Sequence, residues 1–249
     1  MRIVSLIPAT TEWLFAIGAG AAVVGRTAWC DYPAEASRVP NLGDGISPNL
    51  EAIVAAAPDL VLLYASPANQ QVADRLRQLG IPAVQLRTDN LVDLDRHLEL
   101  LGRATGRTGQ ADALREHIRG ELANASGAAR PGAPSIFILA WDQPPMTLGR
   151  GSFLSEIVER AGARNLFDDL ETSSATISIE AVVDRDPDYV LITSADSIPA
   201  LVGRPEWQVV PAVRERRFVR VHGSEFNRPG PRTPAAIRAM RRAIAAALP

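Results

Sequence analysis

Short apolar runs alternate with helical spacings along the first third of the chain. Ile3 to Ile7 is followed by a helical pattern from about Thr11, the pair Val23-Val24, a second helix from about Asn49, and the run Leu60 to Tyr64. This rhythm predicts a parallel sheet with crossover helices. A helix over Asn69 to Leu79 stops at Gly80 and Pro82, and Ala83 to Leu86 supplies one more strand. A first α/β lobe is predicted to close there, over residues 1–88.

The pattern then changes. From Asn90 to about Ser126, Leu91, Leu94, Leu98, Leu101, Leu114, Ile118 and Leu122 recur at mostly helical spacings with no proline. A single linker helix of roughly 35 residues, within 89–128, fits this stretch, and at about 1.5 Å per residue it runs on the order of 50 Å, enough to brace two lobes. Gly102, Gly106 and Gly109 weigh against continuity, since each glycine costs about 1 kcal/mol relative to alanine in a helix, so a broken pair of helices is the alternative.

After the breaker Ala129 to Pro134 the first rhythm restarts with the strand Ser135 to Leu139, which opens a second lobe over 129–249. The restart repeats earlier sequence. Asn49-Leu50-Glu51-Ala52-Ile53-Val54 with Pro58-Asp59-Leu60-Val61 reappears as Ser178-Ile179-Glu180-Ala181-Val182-Val183 with Pro187-Asp188-Tyr189-Val190, at a constant offset of 129 (Glu51 to Glu180, Pro58 to Pro187). Thr11-Glu12 with Gly18-Ala19 is echoed by Ser155-Glu156 with Gly162-Ala163 at an offset of 144. Two similar lobes account for both repeats. In open α/β sheets ligands bind beyond the carboxyl ends of strands, which directs attention to the loops after Ile7, Leu63, Leu139, Ile192 and Val221.

Composition narrows the function classes. The net charge is -2, from 26 basic residues, all of them arginine, against 28 acidic ones, without long single-sign blocks; nucleic-acid binding is not indicated. The lone Cys30 makes no internal disulfide and leaves the redox compartment open. The N-terminal apolar run is too short for a signal-peptide core or a membrane helix. No GxGxxG after a strand, no GxxxxGK[ST], no GxSxG elbow and no cluster of metal ligands is present, so no enzymatic activity and no catalytic cofactor are expected.

Several segments in order carry a family resemblance. Arg2-Ile3-Val4-Ser5-Leu6-Ile7-Pro8-Ala9-Thr10-Thr11-Glu12, Gly18-Ala19-Gly20, Cys30-Asp31-Tyr32-Pro33, Pro48-Asn49-Leu50-Glu51, Pro58-Asp59-Leu60-Val61, Leu101 to Arg107, and Gly162-Ala163-Arg164-Asn165 to Pro187-Asp188 span nearly the whole chain. Together they resemble the class III, or helical-backbone, substrate-binding proteins of ABC importers, in particular the cobalamin-binding branch of the cobalamin, haem and siderophore group. The resemblance implies two Rossmann-like lobes with parallel sheets joined by a single long α-helix. It also implies a monomer that holds cobalamin or a related corrinoid in a cleft and delivers it to an ABC permease. Haem or a ferric siderophore is the alternative ligand, and a cytoplasmic corrinoid-binding protein without a transporter the alternative role. The implied location is periplasmic, or extracellular and membrane-associated, where an export signal has been removed; it is cytoplasmic if Met1 is the native start.

The resemblance also nominates contacts. Tyr64 stands where the cobalamin branch carries a tryptophan against the corrin face, and an aromatic there stacks on a flat macrocycle. Tyr32 is the second candidate of the first lobe and Trp29 a weaker one. The second lobe offers Trp141 and Asp142 after the strand ending at Leu139, Phe226 in an aromatic loop, and Arg228 with Arg232 toward a phosphate, propionate or amide edge. Of three histidines, His97 and His117 fall on the linker with a solvated face as their expected setting. His222 ends a strand and is the one candidate axial ligand to cobalt or haem iron, against the simpler role of a hydrogen-bonded side chain. One such histidine does not make a free-zinc site. The branch's docking glutamates are absent after Tyr64, where Asn69-Gln70-Gln71 stands instead; Glu206 is the candidate contact of the second lobe.

Overall fold

The apolar runs form the strands that their spacing predicts. The computed structural model describes residues 1–127, 132–193 and 201–248. Two units divide the chain: Met1–Thr88 with Val92–Arg119, and Asp89–Leu91 with Gly120 onward. In the first unit, β1 (Ile3–Ser5), β2 (Val23–Arg26), β3 (Leu60–Tyr64) and β4 (Ala83–Leu86) make a wholly parallel sheet in the order β2-β1-β3-β4. Val61, Leu62 and Leu63 are all fully buried. A strand enclosed on both faces has no need of polar alternation, which is why the segment reads as a continuous apolar run. Helices α1 (Pro8–Ala16), α2 (Leu50–Ala55) and α3 (Pro67–Gln78) make the crossovers, with Pro8 and Pro67 in their first turns, where a missing N–H is tolerated.

Where one linker helix is expected, the chain forms two: α4 (Val92–Thr105) and α5 (Thr108–Ala125). The break is a Schellman motif. Gly106 adopts a left-handed φ of 67°, its N–H donates to the Arg103 carbonyl at 3.3 Å, and the Arg107 N–H donates to the Gly102 carbonyl at 2.8 Å. Gly102 then lets the helices close on each other, since a Cβ there would sit 2.7 Å from Cβ of Ala111.

The second unit departs from the parallel expectation. Its strands β5 (Ser135–Asp142), β6 (Pro145–Leu148), β8 (Ser174–Thr176), β9 (Tyr189–Ile192) and β10 (Phe218–Arg220) run β10-β9-β5-β6-β8 among the described residues, with β7 (Arg164–Asn165) beside β5. The pairs among β10, β9, β5 and β7 are parallel, whereas β5-β6 and β6-β8 are antiparallel. The sheet is therefore mixed. The cause is that β5 does not end at Leu139: it shifts register between Leu139 and Trp141, continues to Asp142 and turns back through Gln143-Pro144 into β6. Among the described residues the further helices are α6 (Phe153–Arg160), α7 (Ile179–Arg185), α8 (Pro211–Arg214) and α9 (Thr233–Ala247). Phe137 centres the core, with Phe167 and Trp207 each 5.9 Å away between ring centroids.

The sequence repeat is a structural repeat. Asn49 caps α2 by accepting from the Ala52 N–H at 3.0 Å, and Ser178 caps α7 by accepting from the Ala181 N–H at 3.1 Å. Each helix is followed by a left-handed residue, Ala57 (φ 44°) and Asp186 (φ 42°). Each Pro-Asp aspartate then ties down the start of its central strand: Asp59 accepts from the Arg2 N–H at 2.6 Å, and Asp188 from the Ser135 N–H at 2.7 Å.

Candidate functional site

Strand order reverses between β1 and β3, because the chain moves one way to β2 and the other way to β4. The carboxyl ends of β1 and β3 thus flank the switch point of the first sheet, the usual ligand position in open α/β sheets. Two loops and the end of β3 meet there. The 27–33 loop presents Trp29, 64% exposed, and Tyr32, also exposed, on either side of the fully buried Cys30. The Cys30 thiol lies 3.2 Å from the hydroxyls of both Thr11 and Thr27, and that of Thr11 also donates to the Ser5 hydroxyl at 2.9 Å. A thiol held this way anchors the loop, while the rings beside it face solvent.

The 43–48 loop approaches the end of β1 so closely that a Cβ on Gly45 would sit 2.9 Å from the Leu6 carbonyl oxygen. Only a glycine fits without displacement. Asp44 stiffens the turn, its carboxylate accepting from the N–H groups of Ile46 (2.8 Å) and Ser47. The loop leaves Ile46 78% exposed. Tyr64, half-buried, is the last residue of β3 and pairs with Leu86. Its carbonyl accepts from Nδ2 of Asn69 at 2.9 Å, and the Gly45 carbonyl accepts from the same Nδ2 at 3.1 Å.

In the second unit, Trp141 lies on the extended part of β5, opposite Met146 of β6. It is 62% exposed, with its indole N–H donating to the Gln143 carbonyl at 2.7 Å. A hairpin strand holds this ring more firmly than the expected loop would. Asp142 pairs with Arg204 at 3.1 Å. Phe226 is only 2% exposed, so its ring packs as a core side chain and offers no face for stacking. Arg232 is engaged by Glu225 (2.8 Å) and the Ser224 hydroxyl (2.9 Å), which makes it part of a neutral pair. Arg228 is half-buried, and His222 and Glu206 are exposed. Of the segment after Ile192, residues 194–200 lie outside the described residues.

His97 corrects the expectation of a solvated linker histidine. It is buried in α4, its Nδ1 has no hydrogen-bond partner among the described residues, and burial pushes its pKa below the ordinary 6.5 against the opposing effects of Asp93 and the Arg87 backbone. The sign follows from desolvation of the imidazolium. His117 is exposed, as expected. Among the described residues no group of three or more His, Cys, Asp and Glu side chains converges on a metal-sized site, and no helix is long and apolar enough to cross a membrane. Sequence reasoning did not single out the exposed Ile46 or the buried contacts of Asn69. The signals present were the Asp44-Gly45 turn and an amide in the first turn after Ser66-Pro67.

Comparison with known proteins places the chain. The periplasmic binding protein family matches residues 3–224. A vitamin B12-binding protein of Pectobacterium atrosepticum is 31% identical over 93% of this chain and 84% of its own length. An uncharacterised ABC transporter substrate-binding lipoprotein of Bacillus subtilis is 30% identical over 93% of this chain and 76% of its own length. The apo periplasmic heme-binding protein of Roseiflexus sp. RS-1 superposes with a TM-score of 0.86 at 26% identity, covering 99% of this chain and 98% of that one. With a family match over most of its length and the two-unit α/β architecture in common, the chain belongs to the periplasmic binding proteins, a family of substrate-binding proteins and not an enzyme class.

Proposed function

We propose that the chain captures cobalamin or a related corrinoid and hands it to an ABC permease, outside the cytoplasmic membrane. The observation that carries this reading is the set of exposed aromatic rings on anchored backbone beside strand ends: Trp29 and Tyr32 around a pinned Cys30, and Trp141 on a hairpin. Rings held in place before binding lose little ordering entropy on contact with a flat macrocycle. Tyr32 and Tyr64 are the contacts that the first unit supplies; Trp141, with Asp142 and Arg228 toward the amide edge, are those of the second. The B12-binding name of a relative that covers most of the chain supports the corrinoid.

Haem is the second reading, favoured by the likeness to a heme-binding protein. The exposed His222 and the phenols of Tyr32 and Tyr64 are the side chains suited to iron. Titration of the apo-protein with cyanocobalamin, cobinamide and haemin, followed by tryptophan quenching and the visible bands, separates the two. Saturable one-to-one corrinoid binding that weakens about tenfold in Tyr64→Ala is expected. Tight haemin binding with a Soret shift lost in His222→Ala, and no corrinoid binding, would replace the ligand.

A further inference from the structure

The exposed Ile46 and the strand-end Tyr64 sit on separate segments, yet one side chain joins them. Asn69 occupies the first turn of α3, where Ser66 caps the helix by accepting its backbone N–H at 3.2 Å. In a first turn the short asparagine amide is free to reach backbone groups outside the helix. Both hydrogens of its Nδ2 are committed, one to the Tyr64 carbonyl and one to the Gly45 carbonyl. At 1% exposure the amide is sealed from water, and its Oδ1 finds no partner among the described residues. An apolar residue there would avoid the orphaned oxygen but would take the donor away from both carbonyls, so the amide accepts one unpaired atom in exchange for joining two segments. What it does achieve is alignment: two carbonyls on different segments are each within one hydrogen-bond length of the same nitrogen. Gly45, which tolerates no side chain against Leu6, completes the seat.

We infer that Asn69 is a positioning residue for ligand capture, with its amide fixing the loop that presents Ile46 against the strand end that presents Tyr64, and that Ile46 is itself an apolar ligand contact. This rests on the substrate-binding reading above. Ile46, on a turn already closed by Asp44, is at 78% the most exposed large apolar side chain among the described residues, and it stands beside the strand end that carries Tyr64. A rigid apolar tip beside an aromatic strand end suits the rim of a macrocycle.

The test is a double-mutant cycle on the apo-protein with cyanocobalamin, cobinamide and haemin as probes. Ile46→Ala weakens the probe that the wild type binds about fivefold with no change in melting temperature. Asn69→Ala weakens it about tenfold and alters the induced visible circular dichroism of the bound chromophore, which reports its orientation. The double variant loses no more than about twofold beyond Asn69→Ala, because a mispositioned Ile46 has little left to contribute. Asn69→Ser, which keeps one donor, recovers part of the affinity and keeps the cycle readable if Asn69→Ala folds poorly. Wild-type affinity in both Ile46→Ala and the Asn69 variants, alongside weakened Tyr64→Ala, overturns this inference and leaves the proposed function standing. Fully additive losses overturn the coupling, and a wild type that binds none of the three probes removes both.

Discussion

Asp59 and Asp188 occupy the same place in the repeat, yet their replacement by alanine is expected to cost different amounts. Asp188 accepts from both the N–H (2.7 Å) and the hydroxyl (2.8 Å) of Ser135, whose hydroxyl in turn accepts from the Asp188 N–H at 3.0 Å. Ser135 is 3% exposed, so Asp188→Ala strands a buried donor at the start of the central strand β5. A buried group left unsatisfied costs about 1–3 kcal/mol. Asp188 itself is exposed and admits some water, which sets the expected loss at about 2 kcal/mol, or about 4–8 °C in melting temperature for a chain of this size. Asp59 instead holds the N–H of Arg2 at an exposed position, where water replaces the carboxylate. Asp59→Ala is expected to cost less than about 1 kcal/mol. Urea denaturation followed by tryptophan fluorescence and far-ultraviolet circular dichroism measures both. Equal losses, or a larger loss at Asp59, would refute the argument that burial of the partner sets the energy.

Acidification is expected to destabilise the protein through His97. Its folded pKa lies below the ordinary 6.5, so as the pH falls through that value the unfolded chain takes up the proton first and the folded state loses ground. Melting temperatures between pH 7.5 and 5 should fall less steeply in His97→Gln, and parallel slopes would sink the assignment. Trp207→Ala removes a fully buried ring stacked at 5.9 Å on Phe137 and should cost about 3–5 kcal/mol, read by denaturant titration; a loss below about 1 kcal/mol would mean the second core does not centre on Phe137.

The repeated elements were legible because their determinants are local. A cap three residues from the N–H it binds and a Pro-Asp pair are fixed by short spacings, and the offset of 129 carried them from Asn49 and Asp59 to Ser178 and Asp188; the left-handed residues Ala57 and Asp186 between them emerged only in the structure. The Schellman break at Gly106 was also local, but the leucine spacing on either side masked it, since a two-residue interruption scarcely disturbs a helical period. The extension of β5 to Asp142 depends on pairing with β6, which in turn pairs with β8, and no spacing within β5 encodes its partner. Burial of Phe226 and His97 is likewise a product of what packs over them. For the site, aromatic residues near strand ends could be picked out in the sequence. The contacts of Asn69 could not, because one of the two carbonyls that its amide joins belongs to Gly45, 24 positions away.

The division of the chain has a consequence for its synthesis. Residues 89–91 belong with the second unit, where the Leu91 N–H donates to Glu156 at 3.2 Å, while α4 and most of α5 return to the first. Leu94, Leu98 and Leu101 bury the inner face of α4 in that first unit, with α4 packed against α1. A nascent chain that has reached Thr88 has all four strands of its first sheet but lacks the helix that seals α1. It must wait for about thirty more residues, through Arg119, before its core can close, and a fragment cut at residue 88 would carry the same open face into solution.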